Sequence, residues 1–172
     1  MRAAAAAGRD DRYIRQRSSV FAVPRTSLGL VPSFSHSVEL SQPPEEVFPW
    51  LLEEDKVPQW TSDLQSYSVN GPLGQGTRAQ QTLDLAGGLK LNLEITRYDP
   101  PRGAETRFET NGVKVTSDYT LEPNGGGGTR LTQTLEAKAG GLTARMLIPV
   151  VQGRLEKKLS QDLERLREVL GG

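Results

Sequence analysis

Polar and apolar residues alternate from Phe34 to Leu40, with Phe34, Val38 and Leu40 on one parity, so this segment reads as a strand with one buried face. Ser41-Gln42-Pro43-Pro44-Glu45-Glu46 follows and reads as a helix start. Proline is tolerated where the first amides lack partners, and the two glutamates suit the positive end of the helix dipole. The helix is expected to run through Val47, Trp50 and Leu51, with Pro49 shortening or kinking it, and a second short turn carries Val57-Pro58-Gln59-Trp60. From there to about residue 138 the period is two. Strands are expected over Leu64–Val69, Thr77–Leu85, Leu89–Tyr98, Glu105–Thr110, Lys114–Glu122 and Thr129–Lys138. The links between them, Gly87-Gly88, Asp99 to Gly103, Asn111-Gly112 and Asn124 to Gly128, are too short for parallel crossovers and make the neighbours antiparallel.

The period then changes once more. Leu155, Leu159, Leu163, Leu166 and Leu170 recur at spacings of four and three, as one face of a long helix ending at Gly171-Gly172. Leu142–Ile148 is helical in character too, and Pro149 must either kink one long helix or begin its second part. The charged residues between the leucines, Lys158 among them, read as a solvated face.

Charge divides the chain in two. The 172 residues hold 21 Lys+Arg and 21 Asp+Glu. Residues 1–33 carry six Arg against Asp10 and Asp11, a net of +4, which leaves −4 on the remainder. An acidic body repels phosphate, so no nucleic-acid partner is expected. Residues 1–33 have no sustained apolar period and no apolar centre of a secretory signal, and are expected to be a disordered basic extension before a domain over 34–172. Their Arg and Ser content also suits a transit peptide, against which Asp10 and Asp11 count, and a start codon placed too early is a third reading. No window approaches the roughly 20 apolar residues of a membrane helix, so a cytoplasmic protein without integral membrane association is expected.

Composition removes much chemistry. There is no Cys and a single His, His36, which excludes disulfides, thiolate sites and any centre needing two imidazoles; no metal and no cofactor are expected. No G-x-S-x-G elbow is present. The glycine run at 125–128 joins two strands and is not followed by Lys, so it is a hairpin rather than a phosphate loop.

The order of elements is strand, two short helices, a run of antiparallel strands and one long amphipathic helix. Together with the segments HSVELSQPPEEVFPWLLEEDKVPQW, GPLGQGTR at 71–78, SDYTLEPNGGGGTRLTQTLE and GGLTARMLIPVVQGRLEKKLSQDLERLREVL, this resembles the polyketide cyclase/dehydrase-like members of the START-related SRPBCC superfamily over about residues 34–170. The resemblance implies an α+β helix-grip fold: a curved antiparallel sheet of six to seven strands around one long C-terminal helix, with two short helices after strand 1. Such members include polyketide cyclases, lipid and quinone carriers, ligand sensors and partner-binding domains, so the fold leaves the function open.

Strand parity sorts residues between cavity and solvent. The apolar parity places Leu83, Leu91, Leu93 and Phe108 inward, with Trp60, Met146 and Val150 closing one end. The polar residues on that parity are His36, Gln81, Thr106, Ser117, Tyr119 and Gln133, none of them a carboxylate or a lysine, whereas Asp84, Glu94, Glu109, Asp118 and Glu136 point outward. The expected ligand site is therefore neutral and consists of His36, Trp60, Gln81, Leu83, Leu91, Leu93, Phe108, Ser117, Tyr119, Gln133, Met146 and Val150. A histidine on an apolar face is more often satisfied by a neighbour than catalytic, and Gln81 and Gln133 can bond a ligand or each other.

Three functions remain open. The first is binding of a small neutral, mostly hydrophobic molecule, a lipid or a polyketide, in an internal cavity. The second, implied by the resemblance, is aldol-type ring closure of a polyketone with His36 and Tyr119 moving protons. The third is a partner-binding module with a filled core. Ligand identity, oligomeric state and the role of residues 1–33 are not encoded in any pattern of the chain.

Overall fold

The computed structural model describes residues 33–84 and 88–171, without the side chains of 142–152 and 154. The expected extension over 1–33 therefore falls almost wholly outside the described residues, as do Leu85 and the side chains of Met146 and Val150.

Seven strands form one antiparallel sheet: β1 (Ser33–Leu40), β2 (Leu64–Asn70), β3 (Arg78–Leu83), β4 (Leu89–Asp99), β5 (Gly103–Thr110), β6 (Val113–Pro123) and β7 (Thr129–Ala139), in the spatial order β1-β7-β6-β5-β4-β3-β2. Strands β2 to β7 are a meander, each beside its predecessor, as their short links require. Among the described strands only β1 crosses over, pairing with β7 from Ser33–Glu136 to Leu40–Thr129.

The connection after β1 is helical. Helix α1 (Pro44–Val47) passes directly into a 3-10 turn (Phe48–Leu51) at Pro49, and α2 (Val57–Trp60) follows. A proline at the second position of that turn ends the α-helical bonding, which is how Pro49 shortens the helix. Helix α3 (Leu142–Val169) is one continuous element through Pro149. This is the helix-grip arrangement, with two irregularities of register, at Leu64/Ser66 and Ile95/Arg97, bending the sheet.

Two turns show why particular residues are needed. Asn111 (φ 49°) and Gly112 (φ 73°) both adopt left-handed backbone, as a two-residue hairpin of the primed type requires. At the other end of β6, the Asn124 side chain accepts the amides of Gly126 (3.1 Å) and Gly128 (2.8 Å), folding the glycine run back on itself. Gly128 also lies so close to β1 that a Cβ there would meet the Leu40 carbonyl oxygen at 2.1 Å.

The core forms where α3 meets the β1–β7 side of the sheet. Leu159, Leu163 and Leu166 of α3 are buried with Phe34, Val38, Leu40, Leu131 and Leu135, and Val47, Phe48, Leu51 and Leu52 seal the same cluster from the short helices. Gln42 donates to the Leu170 carbonyl at the end of α3, and its own carbonyl accepts from buried Thr129 Oγ1 at 2.7 Å. The loop after β1 thereby caps the helix.

Candidate functional site

Because α3 seats chiefly on β1 and β7, and α1 touches mainly β6 among the remaining central strands, a space is left between the helices and the inner surface of β3–β6. A cavity of about 350 Å³ occupies that space. Its walls are Leu83, Leu89, Leu91, Leu93, Phe108, Val113, Val115 and Leu135 from the strands, Val57 and Trp60 from α2, and Leu155 and Leu159 from α3. Trp60 is fixed there by its indole N–H, which donates to the Trp50 carbonyl at 2.7 Å.

The polar part of the wall follows from register. Gln133 on β7 lies opposite Tyr119 on β6, and Ser117 precedes Tyr119 on the same face. The Gln133 Nε2 therefore reaches both hydroxyls, donating to Ser117 Oγ at 2.8 Å and to Tyr119 Oη at 3.0 Å. All three residues are buried. Burial pushes the Tyr119 phenol up to about 12, with the Ser117 hydroxyl pulling the other way and the Asp162 carboxylate adding to the rise. Tyr67, also on the wall, donates its hydroxyl to the Leu52 carbonyl at 3.1 Å, and burial raises its phenol too.

The wall is not free of charge. Asp162 and Lys158 of α3 line the cavity one turn apart, with Lys158 Nζ 3.0 Å from Asp162 Oδ2. Lys158 also donates to the Ser62 carbonyl and to Ser62 Oγ at 2.9 Å, and Asp162 Oδ1 accepts the Ser62 amide at 2.8 Å. The pair thus bolts α3 to the turn after α2. This corrects the expectation of a wall without carboxylate or lysine, and of Lys158 as solvated charge. The signal was in the sequence: Leu155, Lys158, Leu159 and Asp162 are spaced three, four and seven apart, which is one helix face.

Of the residues expected at the site, Trp60, Gln81, Leu83, Leu91, Leu93, Phe108, Ser117, Tyr119 and Gln133 all line this cavity, as does Thr106. Gln81 and Gln133 cannot bond each other, because three strands separate β3 from β7. His36 is not on the wall. It sits on the inward face of β1, where α3 covers the sheet, with its Nε2 3.7 Å from Glu164 Oε1 of α3 and no hydrogen-bond partner among the described residues. Met146 and Val150 belong to the part of α3 whose side chains are not described. Among the described residues no three His, Cys, Asp or Glu side chains gather as a metal site needs, and no helix is long and apolar enough to cross a membrane.

The comparisons with known proteins follow the same lines. Residues 31–171 match the model of a family described as polyketide cyclase / dehydrase and lipid transport. Uncharacterized proteins of Mycobacterium tuberculosis and Mycobacterium bovis are each 25% identical over 138 residues, covering 78% of this chain and 81% of the relative. Among solved structures, the Thermus thermophilus protein TTHA0849 superposes with a TM-score of 0.67 at 18% identity, over 81% of this chain and 97% of that one. Ara h 8.0201 gives a TM-score of 0.64 at 16% identity, also over 81% and 97%. At such identities the likeness is one of fold.

Proposed function

Because this chain belongs to the polyketide cyclase / dehydrase and lipid transport family, we propose that it holds one small, uncharged, mostly apolar molecule between α3 and strands β3–β6. The observation that carries this reading is the cavity of about 350 Å³ with its leucine, valine and aromatic walls. Apolar contact supplies the affinity: burying about 200 Å² of ligand surface contributes about 5 kcal/mol, against about 1 kcal/mol for one neutral hydrogen bond. The few polar groups therefore orient the guest rather than hold it.

Ring closure by His36 and Tyr119 finds no support in this geometry, since the imidazole stands beneath α3 and off the wall. An open cavity likewise speaks against a module with a filled core. Titration with the neutral fluorophore N-phenyl-1-naphthylamine tests the proposal. Saturable binding of one equivalent is expected, lost when Leu93→Trp fills the cavity without unfolding the protein. Absence of saturable binding to the unaltered chain overturns the reading.

A further inference from the structure

Gln133 has two amide hydrogens, and both are spent: one on Ser117 Oγ at 2.8 Å, the other on Tyr119 Oη at 3.0 Å. Each hydroxyl therefore accepts from the amide and keeps its own proton to give away. Apart from the contact of the Ser117 hydroxyl with the Tyr119 phenol, for which a guest must compete, no described side chain or backbone carbonyl takes either proton, and both residues line the cavity. Two neighbouring O–H donors thus converge on an apolar space with their oxygens held from behind.

We propose that Ser117 and Tyr119 form a two-donor cradle for one carbonyl oxygen of the ligand, with Gln133 as the positioning residue behind them. The proposal rests on the reading that the cavity binds a small molecule, and it narrows the ligand to uncharged apolar carbonyl compounds such as ketones, esters and amides. A carbonyl oxygen carries two lone pairs in one plane and accepts two such donors at once. A hydrocarbon leaves both protons buried and unsatisfied. A carboxylate meets the Asp162 carboxylate on the same wall, while the hydrogens of Lys158 are committed to Ser62 and Asp162. Gln133 itself has no hydrogen left for the ligand, so it acts through the hydroxyls. The high value of the Tyr119 phenol, about 12, keeps it a donor through the physiological range.

The test compares benzophenone with diphenylmethane, which share size and shape and differ by the carbonyl. The carbonyl stretch of bound benzophenone is expected below its frequency in hydrocarbon solvent. It should move back toward that value in Ser117→Ala, Tyr119→Phe and Gln133→Leu. In each variant the ratio of benzophenone to diphenylmethane affinity falls about two- to tenfold, the effect of one neutral hydrogen bond. A bound carbonyl at its hydrocarbon frequency, or one unmoved by all three substitutions, overturns the cradle while leaving the cavity reading intact. If neither compound binds, both readings fall together.

Discussion

Ser62 and Asp162, a hundred residues apart in the chain, are joined by a hydrogen bond of 2.8 Å from the Ser62 amide to Oδ1. The same carboxylate meets Lys158 at 3.0 Å, and Lys158 returns to Ser62 through its carbonyl and hydroxyl. Every charge in this triangle has a partner, and removing one strands the others. Asp162→Ala leaves the buried part of the Lys158 ammonium and the Ser62 amide without acceptors, at a cost of about 3 kcal/mol. The double substitution Lys158→Met with Asp162→Leu removes both charges, and urea unfolding should show it less destabilised than Asp162→Ala alone.

Tyr119 contributes, beside the still more strongly raised Tyr67, to a loss of stability at alkaline pH. Its phenol ionises near 10 when unfolded and only at about 12 in the folded chain. Below pH 10 both states hold the proton and stability is constant. Between pH 10 and about 12 the unfolded chain releases it first, so stability falls as pH rises, by about 2–3 kcal/mol across the window. Denaturant midpoints measured at intervals across this range should show the decline, and Tyr119→Phe should flatten it in part, since Tyr67 is raised in the same direction.

Glycines in the loops and strands differ sharply in what they tolerate. A Cβ on Gly128 would stand 2.1 Å from the Leu40 carbonyl oxygen, and one on Gly103 2.2 Å from that of Tyr119, both backbone atoms in paired strands. Gly128→Ala and Gly103→Ala should each lower stability by about 2 kcal/mol or more through forced displacement. Gly126→Ala, two residues from Gly128, meets only the Asn124 side chain at 3.6 Å and should leave the thermal midpoint almost unmoved.

His36 makes the opposite kind of prediction. Its buried Nε2 has no hydrogen bond among the described residues, and its ring is off the cavity wall. His36→Leu therefore keeps N-phenyl-1-naphthylamine affinity within about twofold and does not lower the unfolding midpoint. A marked loss of affinity would return the imidazole to the site.

The strands were legible in the sequence because alternation and turn chemistry agree. Asn111-Gly112 marks a hairpin as clearly as Leu131, Gln133 and Leu135 mark an inner face. Parity was also enough to pick out Ser117, Tyr119 and Gln133. It could not say which inward residues a helix would cover, and so His36, inward but beneath α3, was grouped with residues that line the cavity. Lys158 and Asp162 were hidden for a related reason. Leucines at 155, 159, 163, 166 and 170 draw the eye to one helix stripe, whereas α3 has two: one against the sheet and a second, through 155, 158, 159 and 162, against the cavity. Charges on the second stripe look solvated until the sheet's curvature is known.

The pairing of β1 with β7 has a consequence for how the domain is made. Among the described strands β1 is made first, and it has no sheet partner until residues 129–139 have been synthesised; the helix that buries its inner face comes later still. Until then Phe34, Val38 and Leu40 have neither ladder nor cover, while the meander from β2 onward can assemble hairpin by hairpin. During synthesis closure thus waits for β7 and its cover for α3, and a chain cut short before β7 presents an apolar strand edge to whatever stands nearby.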